Sequence, residues 1–387
     1  MYVVVVSGEY PATSAGGIGS VCKGIHEGLT TREIAHEVVS YNDGDVSDDA
    51  VRTIDVAGPA LFSILSSGRA FSRLSDSYPA DTVYHFHLPA AIGPMLFASE
   101  ATLRRSVVTF HTTEAGFRQH LYRRVPFSQL DTNGRLYKSG YGLIRETMER
   151  RLIQRTPSDA AVTTVSAGVR DEVEDNYGVA VDRVVHNGID AQTDEQVPDD
   201  DIDRPGSSAE SPPRLLIVGR LEPQKGFVHA FRALARVEEP YHLTVVGSGS
   251  DEDRLERLNR DLSVGADFLG YVSAERLDGA YADSDIMLMP SYYEGFPMVG
   301  LEAAKHGLAI AGTHDARVTE MICDANQQLL VDVGDDEALA ATISTLIRDP
   351  ERREAIGRAN RRHVLSTLTT ERMTDHYEEL YRTVGRQ

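Results

Sequence analysis

Cysteine is nearly absent from this chain: of 387 residues only Cys22 and Cys323 carry a thiol, one in each half. Two separated thiols supply neither a disulfide framework nor a metal knuckle, which suits a reducing cytoplasm. Lysine is scarce as well, with Lys23, Lys138, Lys225 and Lys305 its whole complement. Long apolar runs are missing too. The longest, residues 2–6, falls far short of the ~20 residues that a membrane span needs. Met1 leads straight into that strand-like run without a basic stretch, so no secretory leader is expected.

What the chain has in excess is acid. Asp and Glu number 59 against 39 Lys and Arg, a formal net charge of −20. Such a surface repels nucleic acid and argues against general polyanion binding. Abundant Asp with little Lys points to a halophilic cytoplasm, where dense cations screen the self-repulsion. A hydrophobic fraction of 41% and a charged fraction of 25% are those of a globular chain, and the length suits two domains.

Short β-rich runs alternate with helical stretches throughout. In the first half strands are expected at 2–7, 38–41, 82–86, 106–110, 160–165 and 181–185. In the second half they are expected at 214–218, 242–246, 267–269, 285–289, 308–311 and 328–331. This alternation predicts α/β architecture with two doubly wound parallel sheets. Residues 191–213, rich in Asp, Pro and Ser without an apolar period, read as a linker. The expected division is a domain at 1–190, that linker, a domain at 214–365, and a closing helix at 366–387 that packs back on the first domain.

The strongest motif is Pro290-Ser-Tyr-Tyr-Glu294-Gly295-Phe296-Pro297-Met298-Val299-Gly-Leu-Glu302, directly after an expected strand. On one continuous helix two glutamates eight positions apart would lie about 80° apart. Gly295 and Pro297 instead place Glu294 in a loop and start the helix near Met298. Both carboxylates can then look into the crevice at the carboxyl end of the sheet, where open α/β folds bind ligands. The N–H groups of Met298 and Val299 form a helix N-terminus suited to a diphosphate. Glu302 can accept hydrogen bonds from ribose, and Glu294 can hold sugar hydroxyls. Taken alone, Glu302 also reads as a helix-face glutamate and Glu294 as a loop charge.

A second strand end carries Gly219-Arg220-Leu-Glu-Pro-Gln-Lys225-Gly226. Arg220 and Lys225 flank a tight turn and can grip one polyanionic group, Arg through paired donors and Lys as a point charge. Gly16, Gly17 and Gly19 follow the first strand, where missing side chains let backbone approach a diphosphate. The third glycine of a dinucleotide fingerprint is replaced by Cys22 there, and by Glu252 after Gly247 and Gly249. An NAD oxidoreductase is disfavoured on both counts.

Together these motifs resemble glycosyltransferase family four, the retaining nucleotide-sugar transferases of the GT-B fold. The shared features are two glutamates separated by seven residues and an Arg…Lys-Gly turn about seventy residues upstream. Thr109-Phe-His111, Val165-Ser166, Val185-His-Asn187-Gly188-Ile-Asp190 and Val246-Gly-Ser-Gly249 extend the likeness over almost the whole chain. The resemblance implies two facing Rossmann-like domains and a UDP- or GDP-linked hexose donor held mainly by the second. It implies His111 beside the transferred sugar and Gly247 and Gly249 near the base; with Arg220, Lys225 and helix dipoles to neutralise the diphosphate, no metal or other cofactor is expected. It also implies same-face attack by a hydroxyl acceptor, with a lipid-linked or surface-glycan intermediate the first choice of acceptor. A nucleotide-sugar epimerase and a non-catalytic nucleotide-sugar-binding protein remain as alternatives.

His85 and His87 alternate along a strand and share one face. No third ligand can be placed beside them, so they are taken as structural. The pairs Asp43/Asp45, Asp201/Asp203, Asp251/Asp253 and Asp283/Asp285 are read as solvated charge rather than metal ligands. From 114 to 155 nine Arg and Lys face four acids, and Phe117, Leu121, Tyr122, Val125 and Phe127 interleave. Such a segment suits peripheral contact with an anionic membrane. The alternative is a pair of helices whose arginines meet acids elsewhere.

Overall fold

Branched aliphatic runs build two all-parallel sheets. The first contains β1 (Val3–Val6), β2 (His36–Tyr41), β3 (Val51–Ile54), β4 (Val83–Leu88), β5 (Ser106–Phe110), β6 (Ala161–Thr164) and β7 (Arg183–Val184), in spatial order β3-β2-β1-β4-β5-β6-β7. The second contains β8 (Arg214–Val218), β9 (His242–Val246), β10 (Ala266–Gly270), β11 (Ile286–Met289) and β12 (Ala309–Gly312), in order β10-β9-β8-β11-β12. Every residue of β1, β4, β5, β6, β11 and β12 is buried. Strands covered on both faces by crossover helices lose the usual polar alternation, and these do. This computed structural model describes residues 1–11, 16–41, 48–56, 61–130, 132–191 and 211–386. Most of the expected linker, together with Asp43/Asp45 and Asp201/Asp203, lies outside the described residues.

The structure adds one strand to those expected and removes another. Val51–Ile54 forms an edge strand that its alternating, half-polar sequence concealed. Residues 328–331 form no strand; a single bridge joins Thr313 to Val331. Edge β12 is instead closed by side chains. Asn326, fully buried, accepts from the Ile310 N–H at 2.9 Å and donates to the Ile310 carbonyl at 2.7 Å. Asn360 donates to Asn326 at 2.8 Å and to the Leu308 carbonyl at 3.1 Å. The amide thus mimics the missing neighbour strand. Asn326→Ala would leave three buried polar groups unmet and is expected to cost about 3 kcal/mol, read as a lower urea midpoint at unchanged slope.

Two units emerge by packing. The first comprises Met1–Gln119, Leu136–Asp190 and Thr370–Gln387; the second comprises His120–Arg135 and Ala191–Thr369. Residues 120–135 therefore group with the second unit, although they fall within the expected first domain at 1–190. Helix Thr370–Val384 belongs to the first unit. It buries Met373, Thr374, Tyr377, Leu380, Tyr381 and Val384 along one face, at the three- and four-residue spacing of an amphipathic helix. Its close approach to helix Gly17–Thr31 depends on Gly28, where a Cβ would stand 2.3 Å from Thr374 Oγ1.

Candidate active site

In the second unit the strand order reverses between β8 and β11, the place where open α/β sheets part their loops and take ligands. The turn after β8 begins at Gly219 (φ 143°) and ends at Gly226 (φ 61°). A Cβ on Gly226 would sit 2.1 Å from the Pro290 carbonyl oxygen, so only glycine lets this turn close on the loop after β11. Two hydrogen bonds stitch the loops: Tyr292 N–H donates to the Gln224 carbonyl at 2.9 Å, and the Gln224 side-chain Nε2 donates to the Tyr293 carbonyl at 2.8 Å.

That closure brings the two main motifs into contact. Lys225 Nζ lies 2.7 Å from Glu294 Oε1, with side chains only 15% and 10% exposed. Ser291 Oγ donates to the same carboxylate oxygen at 3.0 Å. Arg220 is exposed, and no described side chain pairs with it in the structure. A largely buried cation held by a carboxylate thus stands in the same turn as an exposed guanidinium, two cations that can face one anionic group. Gly247 (φ 129°) and Gly249 serve this turn: a Cβ at either would stand 2.0 or 2.5 Å from the carbonyl oxygen of Gly219 or Leu221. Their observed role is to seat one loop on the other.

Gly295, Phe296 and Pro297 are buried, and helix Met298–Lys305 opens directly after Pro297. The N–H groups of Met298 and Val299, both half-buried, have no acceptor within their own helix. Glu302 lies in the next turn, half-buried. Burial raises its carboxyl above the ordinary range even though the Tyr281 hydroxyl donates to Oε2 at 2.7 Å. Tyr281, itself 2% exposed, stacks on His306 with ring centres 5.4 Å apart. One oxygen of Glu302 is therefore fixed by a buried partner.

Asp315 was not singled out in the sequence. Its carbonyl accepts from the Glu294 N–H at 3.2 Å. Burial alone would raise its carboxyl, yet His120 at 2.8 Å and Arg124 at 2.7 Å hold it below the ordinary value. His120 also stacks on Tyr293, with centres 5.4 Å apart and planes within 10°. Neighbouring His229 bonds Asp336 at 2.6 Å and the Tyr292 hydroxyl at 2.7 Å. Arg124, His229, Tyr292 and Asp315 line a cavity of about 530 Å³ with Asp332, Val333 and Gly334. Much of this lining is polar, with Arg124 paired to Asp315 and His229 to the Tyr292 hydroxyl. The only sequence signal for Arg124 and His120 was their place in the basic stretch.

In the first unit Gly16 caps helix Gly17–Thr31, with Gly17 exposed and Gly19 buried. A Cβ on Gly16 would meet Glu9 Oε2 at 1.7 Å, so a carboxylate occupies the space that its missing side chain opens. His111 follows β5, is 6% exposed, and shares a 2.8 Å hydrogen bond with His87. Burial drives its pKa down to about 3. His85 and His87 are fully buried.

Several expected surface charges prove to be interior. In the basic stretch Glu114, Glu146 and Glu149 are 2%, 3% and 0% exposed. Arg145 pairs with Glu114 at 2.6 Å, and Arg118 and Arg150 pair with Glu146. These three arginines thus meet acids of their own segment, whereas Arg124 meets Asp315 outside it. Asp251 and Asp285, read as solvated, are each 7% exposed. Asp285 accepts from the Arg214 N–H at 2.8 Å and anchors the start of β8. Among the described residues no three His, Cys, Asp or Glu side chains are grouped to hold a metal ion. No described helix is long and apolar enough to cross a membrane.

Residues 15–193 match Glycosyltransferase Family 4 and residues 199–363 match Glycosyl transferases group 1, most of the chain between them. A glycogen synthase of Mycobacterium tuberculosis is 26% identical over 98% of this chain and 94% of its own. Sucrose-phosphate synthase from Thermosynechococcus elongatus superposes with a TM-score of 0.75 at 20% identity, covering 98% of both chains. Anabaena HepE in complex with UDP-glucose superposes at 0.73 and 16%, also over 98% of each. Two parallel-sheet domains, the linked motifs at the β8–β11 switch point and these matches agree: the chain belongs to glycosyltransferase family four and is a transferase of the GT-B fold.

Proposed function

We propose that this chain is a retaining hexosyltransferase that moves a hexose-type sugar from a UDP- or GDP-linked donor to a hydroxyl acceptor. The observation that carries the reading is the 2.7 Å contact of Lys225 with Glu294, beside the exposed Arg220. Arg220, Lys225 and the N–H groups of Met298 and Val299 neutralise charge on the departing diphosphate, which replaces the need for a metal. Glu294 holds the donor sugar, Glu302 the ribose, and His111 touches the transferred sugar. The bond from the anomeric carbon to the phosphate oxygen breaks as the acceptor oxygen bonds on the same face. The acceptor proton passes to the leaving phosphate oxygen. Support for the donor class comes from HepE, whose structure contains UDP-glucose. A panel of UDP- and GDP-hexoses, read by release of nucleoside diphosphate and by the anomeric configuration of the product, tests this. Release with no donor, or an inverted product, overturns it.

The acceptor is read as a lipid-linked or surface-glycan intermediate reached at an anionic membrane. In the first unit Leu136, Leu143 and Ile144 are 53%, 57% and 58% exposed, and Lys138 and Arg151 are exposed alongside them. With Glu114, Glu146 and Glu149 buried, the outward face of these described residues is basic and apolar, complementary to anionic headgroups. Co-sedimentation with phosphatidylglycerol vesicles is expected, and the Leu143→Ser/Ile144→Ser double variant should weaken it at least about tenfold. Equal binding by the variant, or none by the parent chain, removes the membrane from the proposal.

A further inference from the structure

Three neutral imidazoles lie in contact at the carboxyl end of β4 and β5. His85 and His87 have ring centres 4.0 Å apart, and His87 stacks on His111 at 5.1 Å. His85 is committed on both nitrogens, Nδ1 to the Tyr381 hydroxyl and Nε2 to Thr109 Oγ1, each at 2.7 Å. Tyr381 comes from the closing helix, so the far end of the chain fixes this ring. His87 differs. Its Nδ1 meets His111 Nε2 at 2.8 Å, while its Nε2 is buried without any hydrogen-bond partner.

Burial disfavours the charged form of all three rings, so each carries one N–H. Two arrangements are then open. If His111 donated to His87, the proton of His87 would sit on Nε2, a buried N–H with no acceptor. If His87 donates from Nδ1, its Nε2 is merely an unmet lone pair. Orphaned buried donors are the rarer and costlier case. His87 therefore donates, and His111 must carry its own proton on Nδ1. That nitrogen makes no hydrogen bond among the described residues, and His111 is the one ring of the three with any exposure, 6% against 0% for both others.

We propose that His87 is a positioning residue that sets the tautomer of His111, leaving His111 to offer a fixed Nδ1–H donor to an oxygen of the transferred sugar. This rests on the reading that His111 touches that sugar. It assigns His111 the work of a neutral hydrogen-bond donor and removes it as a general base. Neither the fold nor the family motif states which nitrogen carries the proton.

Long-range ¹H–¹⁵N correlation on the whole protein, with His111→Gln used to assign the resonance, reads the tautomer directly. Protonation on Nδ1 is expected; protonation on Nε2 overturns the proposal. His87→Leu removes an orphaned polar atom with little volume change, so the fold should persist. It frees His111 to populate both tautomers, and kcat should fall about ten- to hundred-fold with KM for the donor nearly unchanged. His87→Asn, whose amide N–H falls near the former Nδ1–H, should restore most of the loss. Full activity in His87→Leu, or no rescue by Asn while His111 stays protonated on Nδ1, overturns the positioning role. Full activity in His111→Gln refutes the sugar-contact reading itself and leaves the ring assignment to stand on the spectrum.

Discussion

Lys225→Ala is expected to lower kcat/KM about 10²- to 10³-fold, the loss typical of removing one preorganised donor from a site of developing charge. The reason lies in the burial of the pair as much as in its charge. With 15% and 10% of their side chains exposed, Lys225 and Glu294 interact in a medium less screening than water, and so would a diphosphate placed beside them. Truncation leaves Glu294 with only Ser291 of its two described side-chain donors, so some loss of melting temperature accompanies the loss of activity. Glu294→Gln separates the two effects. It keeps an amide acceptor for both Ser291 and Lys225, so stability should fall less than in Lys225→Ala while transfer falls through poorer sugar binding. Arg at position 225 should rescue little, because a planar fork does not replace a point charge in a turn closed by Gly226. Steady-state kinetics with the preferred donor, paired with thermal melts, distinguish these outcomes. Normal kcat/KM in folded Lys225→Ala removes the residue from the mechanism.

The nearness of the two motifs was legible before any coordinates, though not the direct Lys225–Glu294 contact, because both follow strands of one doubly wound sheet. An Arg/Lys turn at one strand end and a Glu loop at the next can hardly avoid meeting. Gly226 was legible only as part of a motif; its physical necessity, a carbonyl oxygen 2.1 Å from the absent Cβ, is a matter of how two loops nest. Asp315 left no local trace at all. Its partner His120 is 195 positions away, in a stretch whose composition suggested a surface. The same composition hid Glu114, Glu146 and Glu149. Charged side chains are rarely fully buried unless paired, and the pairing here is supplied by Tyr137, Tyr177, Arg118 and Arg145 from other turns. Val51–Ile54 and residues 328–331 failed in opposite directions, since short edge segments are decided by neighbours more than by intrinsic preference.

The buried carboxylates carry the second large expectation. Glu149 has no exposure; one oxygen accepts from the Glu114 N–H at 2.8 Å and from the Tyr177 hydroxyl, while Oε1 has no partner. The Glu114 carboxylate faces it, itself held by Arg145 at 2.6 Å and by the Tyr137 hydroxyl at 2.5 Å. Burial, reinforced by Glu114 and only partly offset by Tyr177, the Glu114 N–H and Arg145, pushes the Glu149 carboxyl up to about 8. A folded-state pKa above the unfolded value means that the native chain binds the extra proton. Its contribution to stability is complete below about 4.5 and is lost as pH rises through about 8. Glu149→Gln fixes the neutral form. Parent and variant should therefore have similar stability at pH 5 and diverge steadily above it. By pH 8.5 the variant should be the more stable by up to roughly 4 kcal/mol. Urea unfolding of both across this range, at constant high KCl so that the −20 net charge is equally screened, isolates the difference because every other titrating group is common to the two chains. Parallel stability curves would mean that Glu149 is ionised in the native state and that Arg145 neutralises both acids.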